Sequence, residues 1–493
     1  LSKMTKYDRK QYLREKQKIK EKRRAKITKV LSSIGALCFC GFIGFAIYVA
    51  NLPYMVVGDK YDIEKDEINF YYSRNIEDFM NTYGNYVSYL GLDTSKPLST
   101  QVYDSQTGET WEDYFIKMAE NSVTQVYSIL DMGKESDFVY AEEESDLAEF
   151  KVSFEEAASK ANLTPDGYAK SLYGNSMTAK KIYDYVKNYN YSIRFSNHIY
   201  ESFEVDEASI ETYYKENNVN FDTFNYLAYE MAPTYESNAT NELKESAIKL
   251  NKEVAEKFYE EEIKKVTNKD EFIKAIDSLI AEDDKDKEKY KDGTAITYTD
   301  ASIVYEDEKV VEWLNDSSRK MGDFTLVTTD ETCYFLYFES KSLDTSNTRD
   351  VRHILAGAEE VKDADGNVTD DGFAKAKEDM DEIEKLWNES SKSVDAFASL
   401  ANTKSEDTGS NTNGGLYEGV PKGEMVEEFD TWLFDEARKT GDTGVVKTEF
   451  GYHLMYYVGE NEPTYKLSID STLRNEMYNS WIETITLETV VNE

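Results

Sequence analysis

Cysteine, histidine and proline are all scarce in this chain: 493 residues carry three, three and six of them. Cys38 and Cys40 share one apolar run, so Cys333 is the only thiol elsewhere, and a disulfide framework in the body is excluded. The same shortage leaves too few ligands for a structural zinc site, and no metal is expected. With 24 glycines and so little proline, collagen-like and linker-like chains are also excluded. Positive charge is the deeper deficit. Asp and Glu number 96 against 57 Lys and Arg, for a net charge of −39. Residues 1–29 hold thirteen basic and three acidic residues, a charge of +10, which leaves −49 for the remainder. A body this acidic repels phosphate backbones, so no nucleic acid is expected as a partner.

What the chain does have is one long apolar run. From Val30 no charge appears until Asp59. Its densest part, Leu31 to Ala50, is long enough to span a hydrocarbon core as a helix. The basic flank precedes it, so the positive-inside rule places 1–29 in the cytoplasm as a basic tail. Residues 30–52 are then a single-pass transmembrane anchor in the cell membrane, with the acidic body extracytoplasmic. A cleaved signal peptide fits less well, because Tyr48 and Ala50 make a poor cleavage site. A lipoprotein fits less well too, since Leu37 and Phe39 precede the two cysteines.

Residues 60–215 read as helical. Ile68, Tyr71, Tyr72 and Ile76 recur at helical spacing, as do Trp111, Tyr114, Phe115 and Met118. Ser153 with Glu156 has the form of a capping box, which places a helix start at Ser153. Thr164 before Pro165 places another. A long helix from Ser176 to Ser202 and a short one from Glu207 to Lys215 follow. A last helix, Ser468 to Thr484, carries Ile469, Leu473, Met477 and Trp481 along one face. It is expected to complete the helical domain, so that 60–215 and 465–493 form one unit.

Between these lie two tracts in which short strands alternate with helices, 218–342 and 348–460, so the fold class is α+β. They are copies of one another. Trp313, Leu314, Asp316, Arg319, Lys320, Gly322 and Asp323 recur as Trp432, Leu433, Asp435, Arg438, Lys439, Gly441 and Asp442, at a constant offset of 119 residues. The offset continues without a gap through Val327 and Val446, Thr329 and Thr448, and Tyr337 and Tyr456.

The second copy carries four ordered motifs: Val351-Arg352-His353-Ile354-Leu355; Ser405-Glu406-Asp407-Thr408-Gly409-Ser410 with Gly414-Gly415; Gly423-Glu424-Met425-Val426-Glu427-Glu428-Phe429; and Val446-Lys447-Thr448-Glu449-Phe450-Gly451-Tyr452-His453. Together they resemble the parvulin family of peptidyl-prolyl cis-trans isomerases. The whole layout resembles the PrsA and SurA foldases: anchor, helical chaperone domain, parvulin domains and a closing helix. The resemblance implies that His353 and His453 face each other beneath the substrate with Asp407 beside them. It makes Met425 and Phe429 the pocket for the proline ring, with Phe450 helping to line the site. The sequence departs from the family after Gly415, where Leu416-Tyr417-Glu418 replaces the usual Asp-Leu-Gly and puts Tyr417 on the pocket wall. If helical, Met425 and Phe429, four apart, share a face.

The first copy departs at each site. At the same offset His453 corresponds to Tyr334, Met425 to Glu306 and Phe429 to Val310, and strand alignment pairs His353 with Tyr226. This copy is expected to be a degenerate parvulin-like domain without catalysis. The resemblance implies an isomerase and chaperone for exported proteins, with unfolded polypeptides bearing X-Pro bonds as partners and no cofactor. A homodimer is compatible with this reading. The alternatives are a client-binding holdase without catalysis and a structural protein of the cell envelope.

Overall fold

The computed structural model describes residues 53–362 and 368–492. The expected tail at 1–29 and anchor at 30–52 lie outside the described residues. Among the described residues no helix is long and apolar enough to cross a membrane. The described chain is a mixture of helix and strand and divides into two compact units. One comprises 206–348 with 460–470, and the other 53–205 with 349–459 and 471–492.

In the second of these units, strands β1 (Met55–Val57) and β2 (Tyr61–Ile63) lead into helix α1 (Lys65–Tyr83). After a loop come the short pair β3 (Val102–Asp104) and β4 (Glu109–Thr110), then α2 (Trp111–Glu135), α3 (Glu143–Lys160), α4 (Pro165–Tyr173) and α5 (Ala179–Ser202). Thr110 starts α2 with a capping box: its hydroxyl accepts from the Asp113 N–H while the Asp113 carboxylate accepts from the Thr110 N–H. Phe115, Ala119, Val123, Val126 and Leu130 then form one buried stripe along α2. Thr164 caps α4 with Pro165 at its first turn, as the sequence predicts. The Ser153 start is corrected. Helix α3 begins ten residues earlier and runs through Ser153, because Leu147, Phe150, Phe154 and Ala158 make a continuous buried face. That packing outweighs the local capping pattern, which water-facing Ser and Glu residues produce readily within a helix.

The other unit opens with α6 (Glu207–Asn217) and holds the first copy: β5 (Thr223–Met231), α7 (Asn241–Glu261), α8 (Lys269–Leu279), α9 (Lys287–Lys291), β6 (Thr297–Ala301), α10 (Glu308–Asn315), β7 (Phe324–Thr328) and β8 (Cys333–Ser342). The second copy contains β9 (Asn347–Gly357), the hairpin β10 (Val361–Lys362) and β11 (Val368–Asp370), α11 (Phe373–Glu389), α12 (Val394–Lys404), β12 (Leu416–Val420), α13 (Glu427–Leu433), β13 (Thr443–Thr448) and β14 (Gly451–Pro463). The two sheets have the same order, β6-β5-β8-β7 and β12-β9-β14-β13. Strands β6 and β12 have the same bounds 119 residues apart.

The repeat is held by one recurring turn. Arg319 lies 4.1 Å from the centre of the Trp313 ring and its Nε donates to the Trp313 carbonyl at 3.1 Å. Arg438 does the same to Trp432 at 3.9 and 3.2 Å. The Asp323 and Asp442 carboxylates each accept the N–H of Lys320 or Lys439 at 2.9 Å. The identities at that offset are therefore the residues of a cation–π staple that closes the turn between helix and strand.

Strand register corrects one alignment. Tyr298 and Tyr417 match at the common offset, and Tyr298 pairs with Tyr226 while Tyr417 pairs with Val351. Tyr226 therefore matches Val351, and Ala228 rather than Tyr226 stands where the second copy has His353. The two-residue slip was invisible to pattern because it leaves every side chain on its own face of the sheet.

The last helix, α14 (Thr464–Ile485), is longer than its predicted span. Near its end Trp481 meets Phe195 edge-on at 6.1 Å, the Leu487 N–H donates to Ser128 Oγ, and β15 (Thr489–Val491) pairs antiparallel with β1. Residues 471–492 fall in the same compact unit as 53–205, while 460–470 fall in the other.

Removing either staple by Arg319→Ala or Arg438→Ala is expected to destabilise its own copy by about 1–2 kcal/mol, from a half-buried cation–π contact and one hydrogen bond to a carbonyl. Urea titration followed by tryptophan fluorescence reads this. Unchanged midpoints in both variants would remove the guanidinium from the account of the turn.

Candidate active site

The site is built on two neighbouring strands, β9 and β14, that each deliver one imidazole into the sheet's α13 side. His353 on β9 is 3% exposed and His453 on β14 is 5% exposed. Glycine makes this placement possible. The segment Gly414-Gly415 passes so close to β9 that the His353 N–H donates to the Gly415 carbonyl at 2.8 Å. A Cβ on Gly415 would lie 2.2 Å from the His353 carbonyl oxygen, and its φ of +72° also disfavours any L side chain. Gly451, at the start of β14, has φ +136° and a Cβ there would lie 2.1 Å from the Ala356 carbonyl.

The polar groups form one chain. His353 Nε2 meets Asp407 Oδ2 at 2.8 Å, and His353 Nδ1 meets His453 Nδ1 at 3.0 Å. His453 Nε2 meets Thr448 Oγ1 at 2.8 Å, and Thr448 Oγ1 accepts the Phe450 N–H at 3.1 Å. Asp407 also accepts from Ser410 Oγ at 2.5 Å, from the Tyr417 hydroxyl at 2.9 Å and from the Gly409 N–H at 3.1 Å. An ionised carboxylate only accepts, so the hydrogen on His353 is at Nε2. The facing Nδ1 atoms hold one hydrogen between them. Placing it on His453 leaves His453 Nε2 as an acceptor and gives the buried Thr448 hydroxyl a target for its own hydrogen. Every donor in the chain is then used, with all hydrogens pointing from Thr448 toward Asp407.

Burial sets the electrostatics. It pushes the His453 pKa down to about 3, helped by the neighbouring His353, while Asp407 opposes the shift. Burial would raise Asp407, but the hydrogen bond and charge of His353, then Ser410 and Tyr417, together hold its carboxyl well below the usual range. Both ends of the chain are thereby locked near neutral pH: Asp407 is ionised and His453 is neutral.

The apolar wall is Phe429, on α13 and 3% exposed. Its ring stands edge-on to both imidazoles, at 5.5 Å from His353 and 5.6 Å from His453. Met425 is half-buried in the same cluster with Phe429, Tyr417 and Trp432. It does not share a helical face with Phe429, because α13 begins only at Glu427, with Val426 extended as its cap. Met425 instead reaches the cluster from the Pro421–Glu424 turn, which is tied to the helix by the Gly423 N–H donating to Asp430. His353, Asp407, His453, Tyr417 and Phe429 thus come together, with Met425 beside them. The Phe450 ring is 51% exposed, and the residue joins the network through its backbone N–H. Ser410 and Thr448 belong to the network without having been singled out from sequence. The signal available for them was their place inside the Asp407 and His453 motifs, three residues after one and five before the other.

Residues 353–459 match the family described as the PPIC-type PPIASE domain, or rotamase. This segment is therefore a parvulin-type peptidyl-prolyl isomerase domain. Two curated relatives carry the comparison toward a foldase. The foldase protein PrsA of Exiguobacterium sibiricum is 41% identical over 13% of this chain and 22% of its own length. Foldase protein PrsA 1 of Listeria innocua is 39% identical over 14% of this chain and 24% of its own. The chain thus spans less than a quarter of the length of these relatives. Among solved structures, PrsA from Bacillus subtilis is similar at 14% identity and a TM-score of 0.28, over 76% of this chain and 87% of that one.

The depressed His453 pKa has a measurable consequence. The unfolded chain takes up this proton near pH 6.5 and the folded one only near 3, so the unfolded state binds more protons between those values. The contribution is fully present above pH 6.5 and is lost as pH falls toward 3. At pH 5 the loss is about 2 kcal/mol. His453→Asn, which cannot titrate, is expected to shrink the fall in stability between pH 7 and pH 5 by that amount, read from urea midpoints. An equal fall in both chains would overturn the assignment.

A second expectation concerns the close approach at Gly415. Gly415→Ala is expected to cost about 3 kcal/mol or more, because backbone and not a pliable side chain stands in the way. A variant as stable as the parent in a thermal melt would contradict the register at His353.

Proposed function

We propose that this chain is a peptidyl-prolyl cis-trans isomerase and foldase that acts on unfolded exported polypeptides outside the cytoplasmic membrane. In this reading residues 348–460 catalyse, 218–342 handle clients without catalysis, and 60–215 with 465–493 form a helical cradle. Residues 30–52 tether the chain to the membrane with 1–29 in the cytoplasm. The basic flank before one apolar run supports that topology, and the named foldase relatives support the client class.

The observation that carries the isomerase reading is the chain of hydrogen bonds through the buried His353 and His453 to Asp407 beside the Phe429 ring. Rotation about a peptide bond costs about 18–20 kcal/mol because resonance holds it planar. A catalyst needs no nucleophile for this. It must hold the twisted imide more tightly than either planar form. Phe429 and Met425 supply an apolar wall for the pyrrolidine ring, which keeps water from the bond. The two imidazoles present fixed dipoles beneath it that need not reorient as the bond turns.

His453→Ala removes one imidazole and breaks the link to Thr448. A fall of about tenfold or more in kcat/KM on an X-Pro peptide is expected, measured in the full chain by a protease-coupled or exchange-NMR assay. Wild-type rates in that variant would take His453 out of the mechanism. A second reading, client holding without catalysis, draws on the first copy, where Ala228 stands at the histidine position. There a groove of about 470 Å³ lies between Asp307–Lys309 and Thr329–Thr332. Suppression of client aggregation by the His353→Ala, His453→Ala double variant would separate holding from isomerisation.

A further inference from the structure

Sequence reading puts Tyr417 on the wall of the proline pocket, in place of the leucine common in the family. Its geometry points to a different task. The hydroxyl donates to Asp407 Oδ2 at 2.9 Å, and the ring stacks on His353 with centroids 5.2 Å apart and planes at 29°. One side chain therefore grips both members of the Asp407–His353 pair, the carboxylate through its hydroxyl and the imidazole through its face.

We propose that Tyr417 is a positioning residue for isomerisation, which fixes the Asp407 carboxylate and the plane of His353 so that the hydrogen of the pair stays on His353 Nε2. The proposal rests on the isomerase reading above. Three donors converge on Asp407 Oδ2: His353 Nε2, Ser410 Oγ and the Tyr417 hydroxyl. Ser410 Oγ also lies 3.2 Å from His353 Nε2, so its own position does not discriminate between carboxylate and imidazole. Tyr417 does discriminate: its hydroxyl serves the carboxylate and its ring serves the imidazole.

The first copy separates the two parts of this role. Tyr298, at the matching position, also stacks on a ring of the neighbouring strand, Tyr226, at 4.7 Å and 6°. Stacking is thus shared by both copies and accounts for why a tyrosine suits the strand. The bond from hydroxyl to Asp407 is the part that belongs to the active copy.

Tyr417→Phe keeps the stack and removes one oxygen. It is expected to lower kcat about tenfold while leaving KM within about twofold and the urea midpoint near that of the parent. The chain has only three histidines, so labelled-histidine NMR of the full chain can follow the His353 Nε2 hydrogen directly. That resonance is expected to shift or to exchange faster in Tyr417→Phe, which a purely structural ring would not cause. Tyr417→Leu, which restores an apolar wall, is expected to lose at least as much kcat. A gain in activity or an effect confined to KM would instead assign Tyr417 to the pocket. Tyr298→Phe is expected to leave kcat unchanged. An active parent with an unaffected Tyr417→Phe overturns the proposal alone. A parent with no activity on any prolyl peptide overturns the isomerase reading and the proposal with it.

Discussion

Two imidazole nitrogens 3.0 Å apart can share only one hydrogen, and with both rings buried no solvent molecule sits between them to substitute for either partner. The His353–His453 contact therefore forces a choice of tautomer on both rings, and the rest of the site is arranged around that choice. Asp407 fixes one end because a carboxylate cannot donate, and at the other end an accepting His453 Nε2 gives the buried Thr448 hydroxyl a target for its hydrogen while the Thr448 oxygen accepts from the Phe450 N–H. Burial keeps His453 neutral over the whole physiological range. A second charge at that position would be costly to desolvate, while a neutral ring held by two hydrogen bonds is not. The glycines at 415 and 451 serve this contact, since each lets backbone approach a histidine-bearing strand more closely than a Cβ would permit.

The two copies show which residues hold the fold and which serve the site. The arginine–tryptophan staple, the strand order and the spacing of elements recur in both. The imidazoles do not: Ala228 and Tyr334 stand in their places, and Glu306 replaces Met425. Burial, then Glu230, raises the Glu306 carboxyl, and Tyr226 partly offsets this with a hydrogen bond. A half-buried carboxylate is a poor neighbour for a proline ring. The first copy therefore keeps the architecture while its cleft has a different polarity, which is the pattern expected when folding and chemistry depend on separate residues of one chain.

The same separation explains what sequence could reveal. The repeat was legible because the staple needs Trp, Arg, Gly and Asp at fixed intervals, and few other residues can close that turn. His353, Asp407 and His453 were legible because histidine is rare here and each sits in a distinctive motif. Ser410 and Thr448 were not, since hydroxyl residues are common and their role depends on which atom faces them. The misplacement of Tyr226 opposite His353 came from strand periodicity, which is blind to shifts of two. The false helix start at Ser153 came from a capping pattern whose residues also suit an exposed helix face. Met425 and Phe429 would share a face only if helical, and spacing alone does not mark that the helix begins at Glu427. Their convergence survives because the Pro421–Glu424 turn brings Met425 to the same cluster from outside the helix.

The electrostatic state of the site bears on how an isomerase of this kind can work. With His453 pushed to about 3 and Asp407 far below neutrality, neither offers a proton at physiological pH. Proton transfer from either would require first reversing the shift that burial or hydrogen bonding imposes, at about 1.4 kcal/mol for each unit of pKa. Fixed dipoles carry no such penalty. A planar imide is conjugated and presents its charge on the carbonyl oxygen, whereas the twisted imide has localised its nitrogen lone pair. A fixed chain of hydrogen bonds from Thr448 through His453 and His353 to Asp407 can distinguish these two charge distributions without moving a proton. Under the proposed activity, then, the histidines act as oriented hydrogen-bonding groups, with His453 neutral, and Asp407 acts by orienting them rather than by touching the substrate.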